Sequence, residues 1–268
     1  MNVSDARTWL FVPGDKPERF SKAFSSGADM VIADLEDAVA PEGKPAAREN
    51  VVRALAGGLP IAVRVNGDDV EFHRDVEAFQ RTASQPVAII VSKSEGAARL
   101  KSLRLTFTGP LIPLIETARG LSNIAEITAC SNVARVAFGA VDYCLDIGSE
   151  RSREALAFPR TMLVIASRVA EIAAPIDTPT LEYGDLAMVE EDAREARRAG
   201  MRGKLCIHPA QIRAVERGFA PTEAEILRAN TVLAASASEG AGSMGSQMID
   251  RPVFEWARQV LQESQATR

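Results

Sequence analysis

Histidine is nearly missing from this chain: among 268 residues only His73 and His208 carry an imidazole. The first lies in a predicted surface helix, which argues against a histidine-ligated zinc or iron centre. Cysteine is almost as scarce. Cys130, Cys144 and Cys206 are odd in number and none is spaced as a C-x-x-C pair, so they read as reduced thiols filling a core. A Ser-His-Asp triad would have to use His208, and the G-x-S-x-G turn that presents such a serine is absent.

Positive charge is not in excess either. A net charge of -5 and a pI near 5.3 deny a nucleic-acid partner the basic face it would need. No apolar run reaches membrane-spanning length, and the polar Met1-Arg7 leads straight into the first apolar run with no signal-peptide core, which predicts a cytoplasmic protein. With 46% apolar and 25% charged residues and a mean hydropathy of -0.03, the composition is that of a soluble globular protein.

What the chain does have is repetition. Eight short apolar runs recur about one strand plus one helix apart: Trp9-Val12, Met30-Leu35, Ile61-Val65, Val87-Val91, Leu111-Ile115, Val133-Phe138, Ile172-Ile176 and Leu205-Ile207. Most lack polar alternation, as strands buried on both faces do. Helical periodicity fills the gaps at Arg19-Ser26, His73-Ala83, Ala118-Cys130, Pro159-Arg168 and Met188-Ala199. The pattern predicts a (β/α)8 TIM barrel, whose chemistry sits at the carboxyl ends of the strands. Those ends offer Asp15 and Lys16, Glu36 and Asp37, Arg64 and Asn66, Lys93, Glu116, Asp142, Asp177 and His208. The plainer reading of any one of these is a helix cap or a solvated loop residue. Their convergence on one ring favours a site, with the carboxylates Glu116 and Asp142 as its metal-binding pair. Oxygen ligands select magnesium, with manganese as the alternative.

The barrel is expected over residues 1–218, with 219–268 forming carboxyl-terminal helices and a lid. Thr222 and Glu225 are spaced as a capping box opening a helix to about Ala235. Ser236-Gln247 is rich in glycine and serine and reads as a flexible tether. Pro252 then starts a last amphipathic helix to about Gln262, so that Asp250 is either a lid residue or a helix-terminal acid.

Several motifs in one order carry a resemblance. Arg7-Thr-Trp-Leu-Phe-Val-Pro-Gly-Asp-Lys-Pro-Glu-Arg-Phe20, Asp34-Leu-Glu-Asp-Ala-Val39, Val63-Arg-Val-Asn66, Leu114-Ile-Glu-Thr-Ala-Arg-Gly120, Phe138-Gly-Ala-Val-Asp-Tyr143 and Ile207-His-Pro-Ala-Gln-Ile212 resemble the citrate lyase beta-subunit-like group. That group belongs to the HpcH/HpaI aldolase superfamily, with the malyl-CoA and citramalyl-CoA lyases. The likeness is colinear over residues 7 to 263.

The resemblance implies a (β/α)8 barrel assembled as a homo-oligomer, a trimer or hexamer. It implies a magnesium-dependent carbon-carbon lyase that cleaves or forms a 3-hydroxyacyl thioester, of malyl-, citramalyl-, citryl- or hydroxymethylglutaryl-CoA type, from an acyl-CoA or acyl-carrier thioester and a small oxo acid. The metal ligands fall on Glu116 and Asp142. Arg64 would fork onto the oxo-acid carboxylate, shared with the amides of Gly139 and Ala140. Glu36 and Asp37 would bond metal-bound water. Met248-Ile-Asp-Arg-Pro252 is similar to a lid motif whose aspartate enters a neighbouring subunit's site, which makes Asp250 the acid-base candidate. The carrier's landing place falls on Arg7, Lys16, Arg19 and His208. The chain departs from the pattern at Val91-Ser92-Lys93, where many relatives have proline before the lysine.

Other readings stay open on the sequence. The same scaffold and metal suit an acyl-CoA thioesterase or a free oxo-acid aldolase. Lys93 at a strand end would suit a Schiff-base aldolase. A non-catalytic carrier-binding subunit is the reading outside enzymology.

Overall fold

A computed structural model describes residues 2–236, 243–244, 247–248 and 250–266. Its first compact unit, Met1–Gly218, is a closed barrel of eight parallel strands in the order β1 to β8. The strands are β1 Thr8–Pro13, β2 Met30–Asp34, β3 Ala62–Val65, β4 Ile89–Val91, β5 Leu111–Ile115, β6 Ala137–Phe138, β7 Ile176–Asp177 and β8 Gly203–Cys206. Between them run α1 Glu18–Ser25, α2 Lys44–Ala56, α3 Asp69–Gln80, α4 Ala98–Leu103, α5 Ala118–Ser122, α6 Ile124–Thr128, α7 Ala140–Ile147, α8 Arg153–Val169 and α9 Leu186–Arg198, with α10 Gln211–Phe219 after β8. The TIM barrel expected from the repeat is what the chain forms.

Side-chain alternation explains how this frame builds a site. The barrel's buried core includes Trp9, Met30, Ile32, Ala62, Ile90, Ile112, Leu114, Ala137, Ile176 and Leu205. Successive side chains of a strand point to opposite faces, so residues two apart share one. Two residues beyond Ile32, Ala62 and Leu114 along the same face stand Asp34, Arg64 and Glu116, each buried. The apolar filling thus gives way to charge in the last layer before the carboxyl rim.

The opposite rim is closed by a different device. Arg135 is fully buried and donates to the carbonyls of Ala174, Ala6, Val3 and Pro175, at 2.7, 2.6, 3.3 and 3.4 Å respectively. Burial pulls its pKa down to about 10, with only distant help from Asp5 and Asp29. Four carbonyl acceptors stand in for a carboxylate there.

The second unit, Phe219–Arg268, is described by itself. It contains α11 Glu223–Ser236, a short antiparallel pair of β9 Ser243–Met244 and β10 Gln247–Met248, and α12 Arg251–Ala266. The capping box forms as its spacing predicts: Glu225 N–H donates to Thr222 Oγ1 at 3.2 Å and Thr222 N–H to Glu225 Oε2 at 2.8 Å. Ala229, Val232, Ala257 and Val260 make this unit's own buried cluster. Most of the expected tether lies outside the described residues, and its flexibility with it. No helix among the described residues is long and apolar enough to cross a membrane.

Candidate active site

Glu116 follows β5 and is buried, whereas Asp142 stands in the first turn of α7 with its side chain partly exposed. They reach the same cation: Lys93 Nζ lies 2.5 Å from Asp142 Oδ1 and 3.7 Å from Glu116 Oε2. Gly139 makes the approach possible. A Cβ there would stand 2.7 Å from Glu116 Cγ and 2.9 Å from its Oε2, too close for any side chain. Glu116 Oε1 also accepts the Lys93 amide at 2.8 Å.

Charge is concentrated and unevenly balanced here. Burial, and then the neighbouring charge of Glu36, push the Glu116 carboxyl up to about 8, against the Lys93 amide and ammonium. Glu36 is raised as well, first by burial and then by Asp37, with Arg64 opposing. Burial works against the Lys93 ammonium, yet the Asp142 hydrogen bond and the Glu116 charge hold its pKa above the ordinary lysine value. A lysine held in that charged form is a poor Schiff-base nucleophile, which counts against that reading.

Arg64, near the end of β3, is held chiefly by Asp34. Its Nε donates to Asp34 Oδ1 at 2.8 Å and its Nη2 to Asp34 Oδ2 at 2.6 Å, while Nη1 reaches Asp37 Oδ2 at 3.3 Å. The guanidinium also lies over the Phe11 ring, 4.7 Å from its centroid. Glu36 Oε2 stands 3.0 Å from Nη1 but has no aligned hydrogen-bond donor. It is a buried carboxylate oxygen that is paired by charge with Arg64 but makes no geometric hydrogen bond. Glu36 Oε1 accepts the Gly67 amide at 3.2 Å.

A cavity of about 400 Å³ opens over these groups, lined by Arg64, Glu116, Gly139, Asp142, Asp34 and Asp37 on its polar side. Phe11, Pro13, Val141, Pro179, Leu181 and Ile207 form its apolar wall. One polar floor and one apolar wall suit a small anion carrying a longer, less polar chain.

The rim loops are braced from behind. Lys44 Nζ donates to the carbonyls of Leu35 and Glu36 at 2.9 and 3.0 Å and to Asn66 Oδ1. Asp75 accepts from the Asn66 amide and side chain at 2.9 and 2.8 Å and from Arg48 at 3.1 Å. The loops after β2 and β3 are therefore tied together, which holds Glu36 beside Arg64.

Three expected roles meet a different geometry. Asp34, not a substrate, takes the bidentate fork of Arg64, so only Nη1 faces further partners. The amides of Gly139 and Ala140 are already donated, to Ile115 O at 2.9 Å and to Thr178 Oγ1 at 3.2 Å. They have no proton left for an anion. Arg7 precedes β1 at the amino-terminal rim, where its own amide donates to Asp29 Oδ2 at 2.8 Å. A strand length of roughly 20 Å parts it from the carboxyl rim of this barrel.

The remaining residues are placed as follows. Lys16, in the β1–α1 connection, and Arg19, in the first turn of α1, stand at the carboxyl rim, both exposed, with Lys16 Nζ 3.6 Å from Asp15. His208 is exposed at the same rim and stacks on Tyr183 with ring centroids 4.7 Å apart. Asp177 is closed into the wall: Arg160 holds it bidentately at 2.9 Å and Lys204 Nζ stands 3.3 Å away. Asp250 is half-buried in the second unit and weakly caps α12, accepting the Val253 amide at 3.4 Å. Asp34, Lys44 and Lys93 as counter-cation escaped the sequence reading. The signal for Asp34 was its spacing of two from Ile32.

Among the described residues no group of three or more His, Cys, Asp or Glu side chains is placed to hold a metal. Two carboxylates with an open cavity beside them still suit magnesium, which keeps several water or substrate ligands. The fit rests on Glu116, whose ionisation is costly without a cation, and on the donorless oxygen of Glu36.

Comparison with known proteins joins this geometry to a family. Residues 7–209 match the model of the HpcH/HpaI aldolase/citrate lyase family. The chain belongs to that family. It is 37% identical over 266 residues to a citrate lyase subunit beta-like protein of Mycobacterium tuberculosis, covering 96% of this chain and 94% of the relative. A (3S)-malyl-CoA thioesterase of Cereibacter sphaeroides is 32% identical over 272 residues, covering 97% and 95%. Among solved structures, CitE of Mycobacterium tuberculosis in complex with magnesium, acetoacetate and coenzyme A superimposes with a TM-score of 0.88 at 34% identity, covering 98% of this chain and 99% of that one. The relatives thus include both a lyase-named and a thioesterase-named protein, and the CitE structure holds magnesium with coenzyme A.

Proposed function

We propose that this protein is a magnesium-dependent carbon-carbon lyase that cleaves, or in reverse forms, a 3-hydroxyacyl-CoA thioester, giving an acyl-CoA and a small oxo acid. The observation that carries the reading is the pairing of Glu116 and Asp142 at the carboxyl rim, beside Arg64 and one open cavity. Glu116 and Asp142 would hold the magnesium ion. The ion supplies Lewis acidity for the hydroxyl and carboxylate of the oxo-acid half.

The chain's own residues do the rest. Nη1 of Arg64 holds the oxo-acid carboxylate, while Asp34 fixes the guanidinium plane so that only this donor faces outward. Glu36, whose Oε2 lacks a donor, accepts from bound water at the rim. The apolar wall of Val141, Leu181 and Ile207 takes the acyl chain and excludes water from it. Lys16 and Arg19, with His208, meet the phosphates of the carrier. Asp250, or its counterpart in a neighbouring copy of an oligomer such as a trimer, returns a proton to the acyl carbon after cleavage.

A panel of malyl-, citramalyl-, citryl- and hydroxymethylglutaryl-CoA, each with and without magnesium, tests the reading when thioester and oxo acid are followed separately. Magnesium-dependent appearance of an oxo acid with the thioester retained is expected. Hydrolysis is the second reading, favoured by the 32% identity to a malyl-CoA thioesterase. Its signature is thioester loss without any oxo acid.

A further inference from the structure

One cation already stands where the metal is expected. Lys93 has φ 48°, a left-handed backbone conformation that residues other than glycine seldom adopt, and it is fixed there from three sides. Its amide donates to Glu116 Oε1 at 2.8 Å. Its stem runs past Gly67, where a Cβ would come within 2.6 Å of Lys93 Cγ. Its ammonium ends 2.5 Å from Asp142 Oδ1 and 3.7 Å from Glu116 Oε2.

Strained backbone, a glycine cleared for the stem and two carboxylates at the tip all serve one placement of one charge. We infer that Lys93 is a built-in counter-cation, which binds Asp142 and faces Glu116 until a divalent cation displaces it. The inference rests on the proposed metal site. The ammonium is hydrogen-bonded to Asp142 and lies within ion-pair reach of Glu116, so its charge is set against both acids at once. It is also a competitor, because a unit positive charge and a divalent ion a few ångströms apart repel strongly at the low dielectric of a partly buried site. Lys93 therefore sets a threshold: an ion must offer those oxygens more than an ammonium does. A divalent cation meets it and a monovalent one does not.

The test uses the full-length protein and magnesium chloride alone. Isothermal titration calorimetry should show Lys93→Met binding magnesium about tenfold tighter than the native chain, and Lys93→Arg binding no tighter. In parallel, amine labelling of the native protein, read at Lys93 by mass spectrometry, should be several-fold faster at saturating magnesium than in chelator. Equal or weaker binding by a folded Lys93→Met overturns the inference. So does labelling unchanged or slowed by magnesium, a readout that stands even where the variant fails to fold. If the native chain binds no magnesium, the proposed metal site falls too. If it binds magnesium and Lys93 is indifferent to it, the inference about Lys93 falls alone.

Discussion

Arg64 presents the Nε–Nη2 edge of its guanidinium to Asp34, at 2.8 and 2.6 Å, and leaves Nη1 to the other acids of the rim. Both groups are buried, and the Asp34 charge and its hydrogen bonds keep the guanidinium protonated against a large burial penalty. Removing Asp34 leaves the buried Nε and Nη2 without their acceptor, with only Glu36 and Asp37 left to offset the charge through Nη1. Asp34→Ala should therefore lower stability by about 2–3 kcal/mol, read by urea denaturation, less than the roughly 3–5 kcal/mol of a wholly uncompensated buried charge because Glu36 and Asp37 remain. A loss below roughly 1 kcal/mol, the size of a surface effect, would contradict Asp34 as the main partner of the buried guanidinium.

The same pair makes Arg64→Lys a sensitive substitution. A lysine keeps the charge but neither the fork nor the remaining outward donor. Expected is a fall in kcat/KM of about 100-fold or more with magnesium affinity preserved. Unchanged kinetics would remove Arg64 from the substrate.

Glu116 sets a pH dependence whose sign can be worked out. Its folded carboxyl is raised to about 8 from an ordinary value near 4.5, so folding favours the protonated form. That contribution to stability is complete below about pH 4.3 and is lost as pH climbs through the folded value. Magnesium takes the ionised form. Its apparent affinity should rise about tenfold per pH unit below the folded value and level off above it, with close to one proton released on binding near pH 6. Calorimetry in buffers of different ionisation enthalpy counts that proton, and a flat profile would contradict the site.

Gly139→Ala places a methyl group against Glu116 where a Cβ has only 2.7 Å. Something must shift, and the neighbour is a proposed ligand. A weakening of magnesium binding of at least about tenfold is expected, with circular dichroism unchanged.

For Asp250 the expected pattern is the reverse. Asp250→Ala should lower kcat by about 100- to 10,000-fold while magnesium binding, measured by calorimetry, stays as it was. Retention of more than about a tenth of activity would return this residue to its other visible role, capping α12.

Much of this was legible in the residues. Leu111–Ile115 is a strand to the residue, because an uninterrupted apolar run bounded by Pro110 and Glu116 has few alternatives. Val133–Phe138 is not: Arg135 turns its side chain to carbonyls at the closed rim, and only Ala137–Phe138 joins β6. Ile172–Ile176 shortens to Ile176–Asp177 because Pro175 lacks an amide, and the carbonyls of Ala174 and Pro175 serve Arg135. The helix expected over Ala118–Cys130 breaks at Asn123, whose side chain donates to Glu95 O at 2.7 Å.

At the site, residue type announced the carboxylates and Arg64, but not who pairs with whom. Three acids within Asp34–Asp37 look alike in a sequence. Only the alternation of β2 decides that Asp34 points inward to Arg64, with Glu36 and Asp37 on the loop above. Lys93 in a left-handed conformation leaves no mark at all, since lysine is not a residue that favours it.

The most direct measurement is a crystal of the protein grown with manganese, examined by anomalous scattering. A single strong peak bridging Glu116 and Asp142, with Lys93 withdrawn from Asp142, is the expected result. No peak at that position, with the Lys93 ammonium still on the Asp142 carboxylate, would contradict a metal site there.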